Sequence, residues 1–344
     1  MVAGLAIVTA LATPAAADHD ALHLPTTDFL PPIVPDGPAP DRTETCGADG
    51  LACIRFVEEE LTGWEEFFGC DHRAVFATVY RLLTRETRLQ IEGDPGFFDD
   101  PAGIGWEALK FYELYHAAVT SHVAGQPVPE AWELAFGANA DGDWTAGHDM
   151  LLSISAHVQR DMPFVVAATG LRLPDGTSRK PDHDRMNVVL SRAYDVIVPE
   201  IGGRYDPFMT TIDDLGGPVE DVGAQQLVAY WRERVWRNAE NVVASADTPL
   251  ADPVTQAIEF EAARWANLLT TGTEIPGHRE VRDAWCLESA AARGDVASPV
   301  PEPNPGADVL ADQESADELA ATGGGVAFAG ILVGLVAAGF RRRR

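Results

Sequence analysis

Leu51-Ala52-Cys53-Ile54-Arg55-Phe56-Val57-Glu58-Glu59-Glu60-Leu61-Thr62-Gly63-Trp64-Glu65-Glu66-Phe67-Phe68 carries apolar side chains at Ile54, Val57, Leu61, Trp64 and Phe68. Steps of three and four residues place them on one face of an α-helix. The same period recurs downstream. Asp71 supplies a cap ahead of a helix whose stripe is Val75, Phe76, Val79, Leu82 and Leu83. Residues 104–123 continue it with Leu109, Tyr112 and Tyr115, and a short helix follows Pro129 with Trp132 and Phe136. Further helices are expected over 148–168, 181–201, 221–244, 253–269 and 279–292. No stretch alternates with period two between hairpin turns, and no internal repeat is visible. The expected fold is all-α, a compact domain of about eight to nine helices over 46–294.

The flanks are of another kind. Leu5 to Ala12 is a short apolar core followed by Pro14-Ala15-Ala16-Ala17, so 1–17 reads as a signal peptide, although no Lys or Arg precedes the core. Residues 18–45, rich in Pro and Asp, read as an extended lead-in. Residues 295–318 carry Pro299, Pro301, Pro303 and Pro305 followed by acids, and read as a disordered stalk reaching roughly 70 Å at ~3.1 Å per residue. Leu319-Ala320-Ala321-Thr322-Gly323 then precedes an apolar segment, 324–340, and four arginines. From Gly323 to Phe340 a helix would run about 27 Å, nearly a bilayer core, and the arginines would stay cytoplasmic.

This tail resembles the cell-wall sorting signal of Gram-positive surface proteins, in the Leu-Ala-x-Thr-Gly form used by class E sortases. The resemblance implies cleavage after Thr322 and transfer to a peptidoglycan amine, with sortase and peptidoglycan as partners and Thr322 as substrate. The alternative is a plain membrane anchor through the same helix.

The formal charge of −28 repels nucleic acid and anionic lipid, so no nucleic-acid partner is expected. Four cysteines, Cys46, Cys53, Cys70 and Cys286, fit disulfides in an exported chain. Of three pairings, Cys46–Cys53 as a local clip and Cys70–Cys286 as a staple between the domain ends are preferred. The spacing fits no zinc knuckle or ribbon.

Three polar groups stand out. Asp149, Ser153, His157 and Asp161 follow one another at four-residue steps along a gently drifting helix face, with Leu151, Ile154 and Val158 on another side facing the core. His157 and Asp161 suit a shared divalent metal, and Pro163 marks a kink or fresh helix start. His183, Asp184 and Asn187 lie at helical intervals after a polar turn. There Asp182 or Asp184 can simply cap, and Arg179 and Lys180 suit an anion or pair with the acids. In the run 230–240, Trp231 and Val235 pack on one face while Arg232 and Trp236 share another. Packing with arginine–carboxylate pairs explains most of that run, and a substrate wall requires the fold to bring it near His157. No nucleophile elbow, phosphate loop, zinc-protease signature or calcium loop occurs.

The series 70–76, Ala156-His157 with Asp161-Met162-Pro163, residues 178–185, and Trp231-Arg232-Glu233 with 236–240 resembles the domain-of-unknown-function 5995 family, uncharacterised and mostly actinobacterial. The resemblance covers roughly 46–286 and implies a helical fold without an established activity. Ser155 stands where that family often carries Asn. The His157–Asp161 pair alone is also similar to the His-x-x-x-Asp pair of helical zinc phospholipases and nucleases.

Two functions remain. The first is a surface module that binds an extracellular ligand or serves structurally, with Asp149, His157, Asp161, His183 and Asn187 as a polar network. The alternative is a metal-dependent hydrolase in which His157 and Asp161, completed by His183 or Asp184, hold the ion that activates water. Whether the chain is an enzyme is left open by its residues alone.

Overall fold

In the computed structural model, residues 43–173, 175–209, 218–271 and 274–294 are described. The expected signal peptide, most of the lead-in, the stalk, the sorting motif from Leu319 to Gly323 and the membrane-spanning segment lie outside them. Among the described residues no helix is long and apolar enough to cross a membrane.

The regular elements are helices, with one isolated antiparallel bridge between Arg172 and Ser178. They are α1 (Thr43–Cys46), α2 (Leu51–Phe68), α3 (Ala74–Gly93), α4 (Pro101–Val123), α5 (Glu130–Asp141), α6 (Ala146–Ser155), a π segment (Ala156–Asp161), α7 (Met162–Thr169), α8 (Lys180–Arg204), α9 (Pro218–Ser245), α10 (Ala251–Leu269) and α11 (His278–Arg293). The number of helices exceeds expectation for two local reasons. Cys46 closes a turn of helix at the end of the supposed extended lead-in, and the span expected as 148–168 is split in the middle.

That split follows from Pro163. Its nitrogen has no proton to donate, and the helix widens by one residue just before it. The Met162 N–H reaches back five residues to the His157 carbonyl, which defines the π turn. Other starts are set by local capping. Asp100 accepts the Gly103 N–H at 2.9 Å, and with Pro101 in the first turn α4 begins earlier than its apolar stripe. Thr145 does the same for α6 through the His148 N–H. Asp71 works just ahead of α3, accepting the Arg73 N–H at 2.9 Å. Gly50 opens α2 with φ 71°, and a Cβ there would lie 2.0 Å from the Pro101 carbonyl oxygen. The starts of α2 and α4 therefore meet backbone to backbone.

α3 is flanked by α2, α6 and α8, α9 lies on α7, and α10 on α5 and the π segment. The main core runs through these contacts. At its centre Phe76 meets Tyr115 and Trp132 edge-on, with ring centroids 5.2 and 5.6 Å apart, and Trp132 stacks on Phe136 at 5.0 Å. Both preferred disulfides are formed, Cys46–Cys53 across seven residues and Cys70–Cys286 across 216.

Closing the long loop removes far more denatured-state freedom than closing the short one, about 5 against about 2 kcal/mol in the chain-entropy account. A Cys70→Ser/Cys286→Ser variant is therefore expected to lose more stability in urea than Cys46→Ser/Cys53→Ser. Equal losses, or the reverse order, would show that the staple does not act through loop closure.

Candidate functional site

The π segment puts His157 and Asp161 on one side of a widened turn, with Nδ1 3.0 Å from Oδ2. The same carboxylate accepts the Trp132 indole N–H at 2.9 Å and an Arg160 N–H at 3.0 Å. An ionised carboxylate only accepts, so Nδ1 of His157 carries the proton and Nε2 keeps a bare lone pair. Nε2 is buried and has no hydrogen-bond partner among the described residues. The ring lies flat on Phe111, centroids 3.3 Å apart and planes within 3°. Burial lowers the imidazole pKa against the pull of Asp161, which keeps the ring neutral at pH 7.

His157 lines a cavity of about 200 Å³ walled by α2, α3, α4, α6, the π segment, α7, α8 and α9. An apolar cavity of ~150 Å³ already holds a benzene-sized molecule. The wall is mostly hydrocarbon and includes Met150, Met162 and Met186, three of the chain's five methionines. Such side chains adapt to varied apolar shapes. Leu151, Ile154 and Val158, expected to face the core, border this cavity and are only half-buried. The polar wall groups include Glu107, Asn187, Ser191 and Arg232, and the Ser191 hydroxyl has no partner among the described residues.

Arg232 crosses from α9 to the first turns of α8. Its Nε donates to Asn187 Oδ1 at 2.8 Å, Nη2 to the His183 carbonyl, and Nη1 to the Met162 sulfur at 3.4 Å. In return, His183 Nε2 meets the Arg232 carbonyl oxygen at 2.9 Å. The guanidinium is 2 % exposed, yet no carboxylate of the described residues pairs with it within 4.0 Å. Burial brings its pKa down to about 10, offset in part by Glu107 and Asp184, so it stays charged at neutral pH. Burial, with the Arg232 charge second, also holds the His183 imidazole well below its usual range.

The six candidates thus separate. His157 and Asp161 form one pair. His183 and Asn187 are joined through Arg232, and of these Asn187 shares the cavity wall with His157. Asp184 takes Lys180 at 2.9 Å, and that ammonium also binds Glu233 at 2.8 Å. Asp149 belongs to a different network, receiving Arg282 Nη1 at 2.7 Å, while Arg282 lies 3.8 Å from Asp206 and Asp206 contacts His278 at 3.1 Å. His72 bridges to Asp283 at 2.9 Å and lies 3.9 Å from Asp149. Among the described residues no three His, Cys, Asp or Glu side chains converge as a metal-ligating group.

A model for a family of unknown function, DUF5995, matches residues 54–272. The chain belongs to that family. No curated protein and no solved structure matches it. The cavity-lining residues all lie within the stretch matched to DUF5995, from Ile54 to Arg232, whereas α11, which supplies Arg282, His278 and Cys286, lies beyond it.

Sequence reading misses Glu107, Phe111 and the methionines; for Arg232 it offers carboxylate pairing or a wall near His157, and the fold places it on the wall. The available signal was the face that Arg232 shares with Trp236, from which Arg232 reaches the same cavity wall as His157. The chemistry open to this site is capture of an apolar body, with the unpaired charge of Arg232 and the bare His157 nitrogen at its wall.

The buried imidazoles predict a pH dependence. In His72, His116, His122, His148, His157 and His183 burial depresses the pKa, so between that value and about 6.5 the unfolded chain binds more protons. Their stabilising contribution is present above about 6.5 and lost on acidification. Asp149 and Glu107 act the other way, because burial raises their pKa, that of Asp149 to about 6, and their contribution fades as pH rises toward the raised value. With six imidazoles against two carboxyls, the urea midpoint should rise from pH 5 to 7.5. A flat or falling midpoint would contradict neutral burial of these rings.

Proposed function

We propose that this chain is exported, held at the cell surface, and binds a small apolar molecule in the cavity beside His157. The cavity carries the reading. A partly open cavity of about 200 Å³ walled by aliphatic, aromatic and methionine side chains suits hydrocarbon better than water. The two disulfides fit an oxidising compartment. The signal-like start, the stalk and the Leu319–Gly323 motif with its apolar segment and arginines fit display from the wall by a sortase, or from the membrane by the helix itself.

The metal-dependent hydrolase has less support. His157 offers a bare nitrogen suited to a general base, but Asp161 is occupied by Trp132 and Arg160, His183 by a backbone carbonyl and Asp184 by Lys180. A binding site needs no further converging group.

N-phenylnaphthylamine, which brightens in apolar surroundings, should saturate the full chain at about one molecule per chain. Ile154→Trp, which fills the cavity from its half-buried wall, should lower that affinity tenfold or more while the helical signal persists. Absence of uptake, or unchanged uptake in the variant, would end the binding reading. Display is tested separately: muramidase should release the wild-type chain from cell walls, and Thr322→Ala should shift it to the membrane fraction. Identical fractionation of the two would remove the sortase reading.

A further inference from the structure

Arg232 is the feature that simple capture of hydrocarbon does not explain. A guanidinium in an apolar wall is expensive unless a counter-charge and acceptors meet it. Here it has one amide oxygen, one backbone carbonyl and one thioether, with no carboxylate of the described residues in ion-pair range. A guanidinium has five N–H donors, and these contacts engage one on each nitrogen, so each η nitrogen retains another. Asn187 spends its oxygen on Arg232 Nε, which directs its NH₂ group away as a further donor.

We propose that the ligand is an amphiphilic carboxylate: its hydrocarbon body fills the cavity and its carboxylate docks on Arg232 and the Asn187 amide. This rests on the apolar-binding reading and names the class of molecule. A planar, forked donor matches a carboxylate geometrically, and the single unpaired positive charge matches a monoanion better than a phosphate with up to two charges. Glu107 is the carboxyl among the cavity-lining residues and opposes the incoming anion. Burial raises its pKa, so it can take up a proton when the ligand arrives.

The test titrates the delipidated full chain with decanoate and with decan-1-ol, which share a tail and differ at the head. Decanoate should bind the wild type at least tenfold more tightly. Arg232→Met, which keeps the volume and removes the charge, should bring the two ligands within about twofold of each other, and Glu107→Gln should widen the preference for decanoate. Equal binding in the wild type, or a preference that survives Arg232→Met, overturns the proposal while leaving the apolar-binding reading intact. Binding of neither ligand removes both. Should Arg232→Met fail to fold, the Glu107→Gln arm decides, because a preference it leaves unchanged means that the head does not sit between these two groups.

Discussion

The site depends on one buried carboxylate. Asp161 is fully enclosed and accepts from Trp132 on α5 and from His157 and Arg160 in its own π turn, while Arg160 continues to Glu259 on α10 at 2.8 Å. Donors from two neighbouring segments thus converge on one side chain, and the Trp132 indole and the His157 Nδ1 would be left buried and unpaired without it. The same contacts hold the imidazole proton on Nδ1 and press the ring against Phe111. The bare Nε2 is a consequence of Asp161's position. The position itself follows from the extra residue that Pro163 forces into the helix.

Two buried arginines show how this fold treats charge in different places. Arg282 has no exposed side-chain surface, pairs with Asp149 at 2.7 Å and lies 3.8 Å from Asp206. Its donors reach the carbonyls of Trp144 and Tyr205, so the ends of several segments are tied together around it. Arg232 is equally enclosed but sits on a void and meets neutral groups. The first charge is balanced by carboxylates of the chain itself and acts as internal glue. The second leaves its charge without a carboxylate partner among the described residues, at a wall built for hydrocarbon, which is how a binding site differs from a structural network of the same residue types.

Much of the helical fold was legible because burial of one helix face imposes a three- and four-residue rhythm. The span 51–68 coincides with α2, and the capping residues at 100 and 145 account for helices that start before their stripes do. The His157–Asp161 contact was legible for the same reason, since four-residue spacing brings the pair together even in a wider turn. The cavity was not. Leu151, Ile154 and Val158 repeat with the period of a core stripe, and nothing in a period distinguishes a face that meets protein from one that borders a void. Nor could spacing show that Asp149 turns to Arg282 from a helix more than a hundred residues away, or that Asp184 is engaged by Lys180.

The staple between Cys70 and Cys286 also governs how force would travel. The covalent bridge shortcuts the chain between these residues, which includes nearly every helix and the whole cavity wall except Ile54. A pull on the chain beyond α11, working against a hold ahead of Cys70, passes through the sulfur–sulfur bond and leaves the enclosed loop unloaded. Cys46–Cys53 bypasses the first turn of α2 in the same way, so the exposed links are the remainder of that helix, the short turn after it and the end of α11 beyond Cys286. While the bridge lasts, tension can lengthen those segments and takes only Ile54 from the cavity wall; once it is reduced, the same tension reaches every helix in turn.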